Sequence, residues 1–208
     1  MSDGLRDGFD GAEPSGEFAP YEPRARNTAD LDIATLVEWL PRLGAVLWLH
    51  RPRRDHMFPR ARLTGRGVLL LEHPDMAAFA DATAIHARSA VTPHGPREWL
   101  DIDAGATTIA RLYLLPDTDY LAWDAMREAL GSDASPAEPR RWQAHRTFMR
   151  CAFARALRAW HARVVRLPLL RLPCLQVLGV RDVETVSALG RQLATAIIAD
   201  EYARGAIA

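Results

Sequence analysis

Hydrophobic and polar positions alternate most regularly between Ile109 and Leu115, where Ile-Ala-Arg-Leu-Tyr-Leu-Leu trades large apolar groups against polar ones at period two. That period belongs to a half-buried strand. Pro116 is expected to stop it. Asp117 or Asp119 is then placed to cap a helix by accepting backbone N–H bonds, with Leu121, Ala125 and Met126 at helical spacing as its core side. Upstream, AVLWLH (45–50) and GVLLLE (67–72) are short apolar runs bounded by turn residues. Residues 83–91, 97–103 and 107–115 predict three more strands, the last two joined at a hairpin by Ala104-Gly105-Ala106. Links this short favour antiparallel pairing over crossovers.

Helical spacing flanks that β-rich middle. Leu36, Val37 and Leu40 form a stripe that opens near Asp30 or Asp32 and ends at Pro41 and Gly44. HPDMAAFA (73–80) predicts one or two helical turns with Pro74 at the first position. Beyond Leu130, GSDASPAEP reads as a linker, and residues 141 to about 165 predict a long helix with Trp142, Phe148, Cys151, Ala152, Leu157 and Trp160 on its apolar side. RLPLLRLPCLQVL (166–178) carries two prolines, which excludes one continuous helix or a central strand. A last helix is expected over 183–202. Residues 1–28 are rich in Gly, Pro, Asp and Glu and lack the apolar surface that offsets ordering entropy, so a disordered acidic tail is expected.

The pattern therefore predicts an α+β fold, an antiparallel sheet flanked by helices. Its divisions are a tail over 1–28, a sheet-and-helix unit over 29–130, and a C-terminal helical region over 131–208 that packs on the same domain.

Composition changes this picture only locally. The chain has 208 residues, 49% hydrophobic and 25% charged, with zero formal net charge, so nothing global draws it to nucleic acid or an acidic membrane. Charge is segregated all the same. From Pro139 to Arg181 there are ten arginines and no acid, and lysine is absent throughout. Cys151 and Cys174 form neither a metal spacing nor a disulfide framework. No apolar segment approaches the roughly 18 residues of a membrane span, and no signal sequence is evident, so a soluble cytoplasmic protein is expected. No phosphate loop, GxSxG, HExxH or CxxC is present, which leaves catalysis without a signature.

Read in order, WLPRLGAVLWLH, HPDMAAFADATAIHARSAV, REWLDIDAGATTIARLYLL and DTDYLAWDAM resemble one half-repeat of the HemS/ChuX-like heme-utilisation family, over roughly 31–130. The family's hairpin and following AW-x-AL helix match WLDIDAGATTIARLYL and YLAWDAM, with Arg111 where lysine is frequent. The resemblance implies heme held in a cleft between sheet and helices, a homodimer of such units, and cytoplasmic delivery, storage or in some members degradation of heme. Single-unit members carry a His-Xaa-His-Gly-Phe-like ligand segment. This chain has GRGVLLLEHPDMAAF near that place, with His73 alone.

Heme asks for an apolar slot, an axial side chain and cations for its propionates. His73, at a strand end before Pro74, and His86 are the candidate iron ligands, and Arg88 shares a strand face with His86 as a propionate partner. Arg111 and Tyr113 share a face of the last strand and suit a carboxylate clamp or a stacking contact. The plainer readings stand beside these: His73 caps a helical turn, His86 is surface or hydrogen-bonded core, and Arg111 is solvated. Asp101 and Asp103 pair on one strand face, a common arrangement on exposed strands, and His50 and His56 flank a loop that reads as solvated and basic. An alternative function rests on Arg146, Arg150 and Arg158, which recur at helical spacing near Trp142 and Trp160 and suit nucleic acid or an acidic partner. A packing helix with a solvated arginine face is the commoner arrangement for such a pattern.

Overall fold

Runs of Leu, Val and Ile broken by Gly, Pro and Asp set the sequence of elements. The computed structural model describes residues 33–52, 59–92, 94–130, 135–136 and 160–205. Helix α1 (Ile33–Trp39) runs into a 3-10 turn at Leu40–Arg42, and Gly44, at φ +74°, swings the chain into β1 (Gly44–His50). A hairpin of β2 (Arg60–Thr64) and β3 (Gly67–Leu71) follows. A 3-10 turn at Pro74–Met76 leads into α2 (Ala77–Asp81). The meander β4 (Ala84–Thr92), β5 (Gly95–Ala104) and β6 (Thr107–Thr118) then leads to α3 (Tyr120–Ala129). Later come β7 (Ser135–Pro136), β8 (His161–Arg166), β9 (Leu169–Leu172), β10 (Leu175–Leu178), β11 (Arg181–Asp182) and α4 (Ala188–Gly205).

The strands form two sheets. The larger has the order β11-β8-β1-β6-β5-β4-β7, antiparallel except for the two-residue β4–β7 pairing, and the smaller has the order β2-β3-β10-β9. Alternation along the strands gives the large sheet two faces. One face presents Val46, Trp48, Leu100, Ile102, Leu112 and Leu114, and packs with α1, α2, α3 and the inner side of the small sheet in the main core. The other presents Leu47, Leu49, Trp99, Tyr113 and Leu115, and is covered by Ala194 and Ile197 of α4 together with Trp160.

The expected α+β class, with an antiparallel sheet flanked by helices, is the observed one. Each strand expected between 45 and 115 is present. Two local expectations need correction and one open alternative is decided. β6 runs through Pro116 to Thr118, because the ladder with β1 is irregular between Gly44 and Val46, where a missing N–H is tolerated. Asp119 alone caps α3, accepting from the Ala122 N–H at 3.0 Å. Asp117 instead accepts from both the N–H and the hydroxyl of Ser187, whose oxygen in turn accepts from the Gly190 N–H at the start of α4. In α3, Trp123 and Met126 are buried, whereas Leu121 faces solvent.

The C-terminal region also differs from the expected helical one. Residues 161–166 are strand β8, paired along the whole upper half of β1, where the sequence predicted the end of a long helix. His161-Ala-Arg-Val-Val-Arg alternates, and a β-branched pair beside an open edge of the sheet prefers a strand. Pro168 and Pro173 do bound rather than interrupt strands, but β10 between β3 and β9 is an interior strand of the small sheet. Gly67 permits this: at φ +111°, any Cβ would lie 2.5 Å from the Cys174 carbonyl oxygen, the group that accepts the Val68 N–H. The last helix begins at Ala188 rather than 183. Residues 1–28, the 131–134 linker and most of the arginine-rich segment, including Arg146, Arg150 and Arg158, lie outside the described residues. Among the described residues no helix is long and apolar enough to cross a membrane.

Candidate functional site

The α4-covered face of the large sheet is apolar at one end and ionisable at the other, because β4, β5 and β6 place His86, Arg88, Asp101, Asp103 and Arg111 on that face. Cross-strand pairing sets His86 opposite Asp101 and Asp101 opposite Arg111. Asp101 is the hub: it accepts from Arg111 Nε at 2.8 Å and Trp99 Nε1 at 3.0 Å, and Arg88 Nε stands 3.5 Å away.

α4 closes this network from above. Glu201, 2% exposed, accepts the Tyr113 hydroxyl at 2.6 Å and pairs with the Arg111 guanidinium. Burial works to lower the Arg111 pKa, but Glu201, with Tyr113 and Asp101, outweighs it, and the net shift is upward. Trp160 lies between two cations, with Arg51 Cζ 4.8 Å and Arg111 Cζ 5.6 Å from its ring centroid. Burial, and secondarily Arg111, push the Arg51 pKa down.

His86 has a different environment. Its Nε2 lies 3.3 Å from Asp103 Oδ2, while its Nδ1 and the second Asp103 oxygen are buried with no hydrogen-bond partner. A carboxylate behind one ring nitrogen and an unused second nitrogen is the arrangement of a metal-ligating histidine. α4 packs over β1, β5 and β6, and β4 contributes only the half-buried Ala90 to that contact, so His86 and Arg88 lie beside the helix rather than beneath it.

His73 lies elsewhere. Its Nδ1 accepts the Asp75 N–H at 3.1 Å and so caps the 3-10 turn, which leaves the ring proton on Nε2 in the neutral tautomer. It belongs to a cluster on the opposite face. There Asp75 lies 3.2 Å from His50 Nε2, 3.5 Å from His73 Nδ1 and 2.5 Å from Arg163 Nη1, and the His50 and His161 rings meet edge-on at 5.4 Å. Burial, opposed by Asp75 and reinforced by His161, Arg163 and His73, brings the His50 pKa down to about 4. The structure thus does not bring the two sequence-predicted iron ligands together. They lie on opposite faces of the sheet, with β6 and β5 between the strands that carry His86 and the His50 partner of His73. Among the described residues, no group of three or more His, Cys, Asp or Glu side chains is arranged to hold a metal ion.

Sequence reasoning paired His86 with Arg88, Arg111 with Tyr113 and Asp101 with Asp103, each within its own strand; the cross-strand register puts all three pairs on one face. It missed Glu201, Arg51 and the buried His50–Asp75 pair. Glu201 lies 90 residues from Arg111 in a helix of mixed apolar and polar residues, and His50 borders an arginine-rich run that reads as solvated. No local pattern marks either. No protein-family model matches this chain and no curated protein matches it, so a functional reading rests on these residues themselves.

Proposed function

We propose that this protein binds heme on the α4 side of the large sheet, as cytoplasmic cargo for delivery or storage, with His86 as the iron ligand. The observation that carries the reading is the buried, unpartnered Nδ1 of His86, backed by Asp103. Asp103 orients the imidazole and raises its basicity. Arg88, half-buried on the same strand face, is the cation nearest in register for a propionate. Arg111 and Tyr113 fit that role poorly, because Asp101 and Glu201 already engage them. His73 does not fit as a second ligand to the same iron.

Hemin titrated into the full chain should give a saturable Soret shift. His86→Ala should weaken binding by at least tenfold and Asp103→Asn by about 10–100-fold. His73→Ala should leave it unchanged. Hemin spectra that match nonspecific adsorption overturn the reading.

A second reading, a relative of the same fold without heme, is favoured by the closed Arg111–Glu201–Tyr113 lock, which fills the sheet face where the resemblance expects a ligand. The same titration separates the two. The proposal of a nucleic-acid or acidic partner at Arg146, Arg150 and Arg158 is tested by whether binding to DNA or RNA falls steeply with salt.

A further inference from the structure

Arg97 lies on β5 two residues before Trp99, and so on the face that α4 covers. α4 holds it by one nitrogen: Nη1 donates to Asp200 Oδ2 at 2.6 Å. The Arg97 side chain is 3% exposed, that of Asp200 27%. The other two nitrogens of the guanidinium, Nε and Nη2, are buried and have no hydrogen-bond partner among the described residues. These two form one edge of the group. Their N–H bonds run parallel, as the fork that takes both oxygens of a carboxylate. Leaving the donors of a charged group buried and unsatisfied is costly, and such groups are retained where something completes them. The neighbours of the fork are small. Ala90 stands opposite Arg97 in the β4–β5 register, and a Cβ on Gly95 would meet nothing within 4 Å. Both residues are half-buried, so solvent reaches this end of the hairpin.

We propose that the Nε–Nη2 edge of Arg97 is a binding site for a small organic monocarboxylate taken from solution. The fork selects an anion with two coplanar oxygens, which a halide does not offer. The charge around it is already balanced: Asp200 shares the guanidinium, and Asp101, four positions along β5, stands against Arg88 and Arg111. A single added negative charge is therefore tolerated better than two, which favours a carboxylate over a phosphate dianion. Ala90 and Trp99, the neighbours of Arg97 on its face, are apolar and suit a short hydrocarbon stem. The site is separate from the one assigned to His86, since four residues of β4, about 13 Å of strand, lie between Ala90 and His86. It does not rest on heme binding, and the two readings fail independently.

Acetate and formate, titrated calorimetrically into the full chain without hemin and at constant ionic strength in chloride, should bind saturably. A Kd of about 1 mM is the range open to ligands of so few atoms. Arg97→Lys keeps the charge but loses the fork, and should weaken acetate by about tenfold or more. Asp200→Asn removes the carboxylate that competes for the same guanidinium, and should tighten acetate by about three- to tenfold. His86→Ala should leave acetate binding unchanged. Melting curves establish that each variant is folded, and the Asp200→Asn result decides the matter if Arg97→Lys is not. Three results overturn the proposal: no saturable binding of acetate or formate, which leaves a buried water as the partner of the fork; inorganic phosphate binding more tightly than acetate; or an affinity that Asp200→Asn does not change.

Discussion

His50 shows how far a single side chain can depart from its local context. It closes a strand beside Arg51, Arg53 and Arg54, yet it is 5% exposed, stacked against Trp48 and next to Asp75. Its folded pKa of about 4 lies below the value near 6.5 of an unfolded histidine. Between those two values the unfolded chain holds the extra proton, so this contribution to stability is full above about pH 6.5 and is lost as pH falls toward 4. Thermal melts from pH 7 to pH 4.5 should therefore show a falling Tm whose slope is reduced in His50→Gln. An unchanged slope in that variant would place the acid sensitivity elsewhere. His86 is the contrasting case: the alternation of β4 was enough to put it on a face with Arg88, but only the fold supplied Asp103 behind it.

Among the elements, α4 depends most on a few polar contacts. Ser187, held by Asp117, starts it; Ala194 and Ile197 anchor its middle on Leu47, Leu49 and Tyr113; Glu201 ties its last turns to Arg111 and Tyr113. Removing one member of a buried ion pair strands the other, which costs about 3–5 kcal/mol, whereas a single neutral hydrogen bond contributes about 1 kcal/mol. Glu201→Leu should accordingly destabilise the protein by several kcal/mol in urea unfolding, Tyr113→Phe by about 1–2 kcal/mol. Equal effects from the two would show that Arg111 does not rely on Glu201. The helix itself was legible in the sequence, though its start was placed early. The lock was not, because its members are brought together by tertiary packing alone.

At the scale of the whole molecule, the division into a unit over 29–130 and an appended region is not the one the strands respect. β8 pairs with β1 inside the large sheet, β10 pairs in parallel with β3 inside the small one, and α4 covers the sheet face that holds Trp99 and Tyr113. A chain ending at Leu130 would leave both sheets with open edges and an uncovered apolar face. Such a truncation should be insoluble or lack a cooperative melt, and a well-folded 1–130 fragment would contradict this account. The long-range parallel β3–β10 pair had no signature in the chain, since its two strands are separated by about a hundred residues and are each only a few residues long.

By itself the sequence determined what local sterics and periodicity govern: the α+β class, the β4–β5–β6 meander with its turn at Gly105, a helical turn opening at Pro74, and a carboxylate cap, Asp117 or Asp119, ahead of α3. These depend on neighbours a few residues away. Tertiary structure alone decided that residues 161–166 extend a sheet instead of a helix, that His73 and His86 face apart, and that Glu201 occupies the side chains of Arg111 and Tyr113. Each of those outcomes depends on which distant edge, face or charge is left unsatisfied once the rest of the chain has packed, and periodicity carries no record of that.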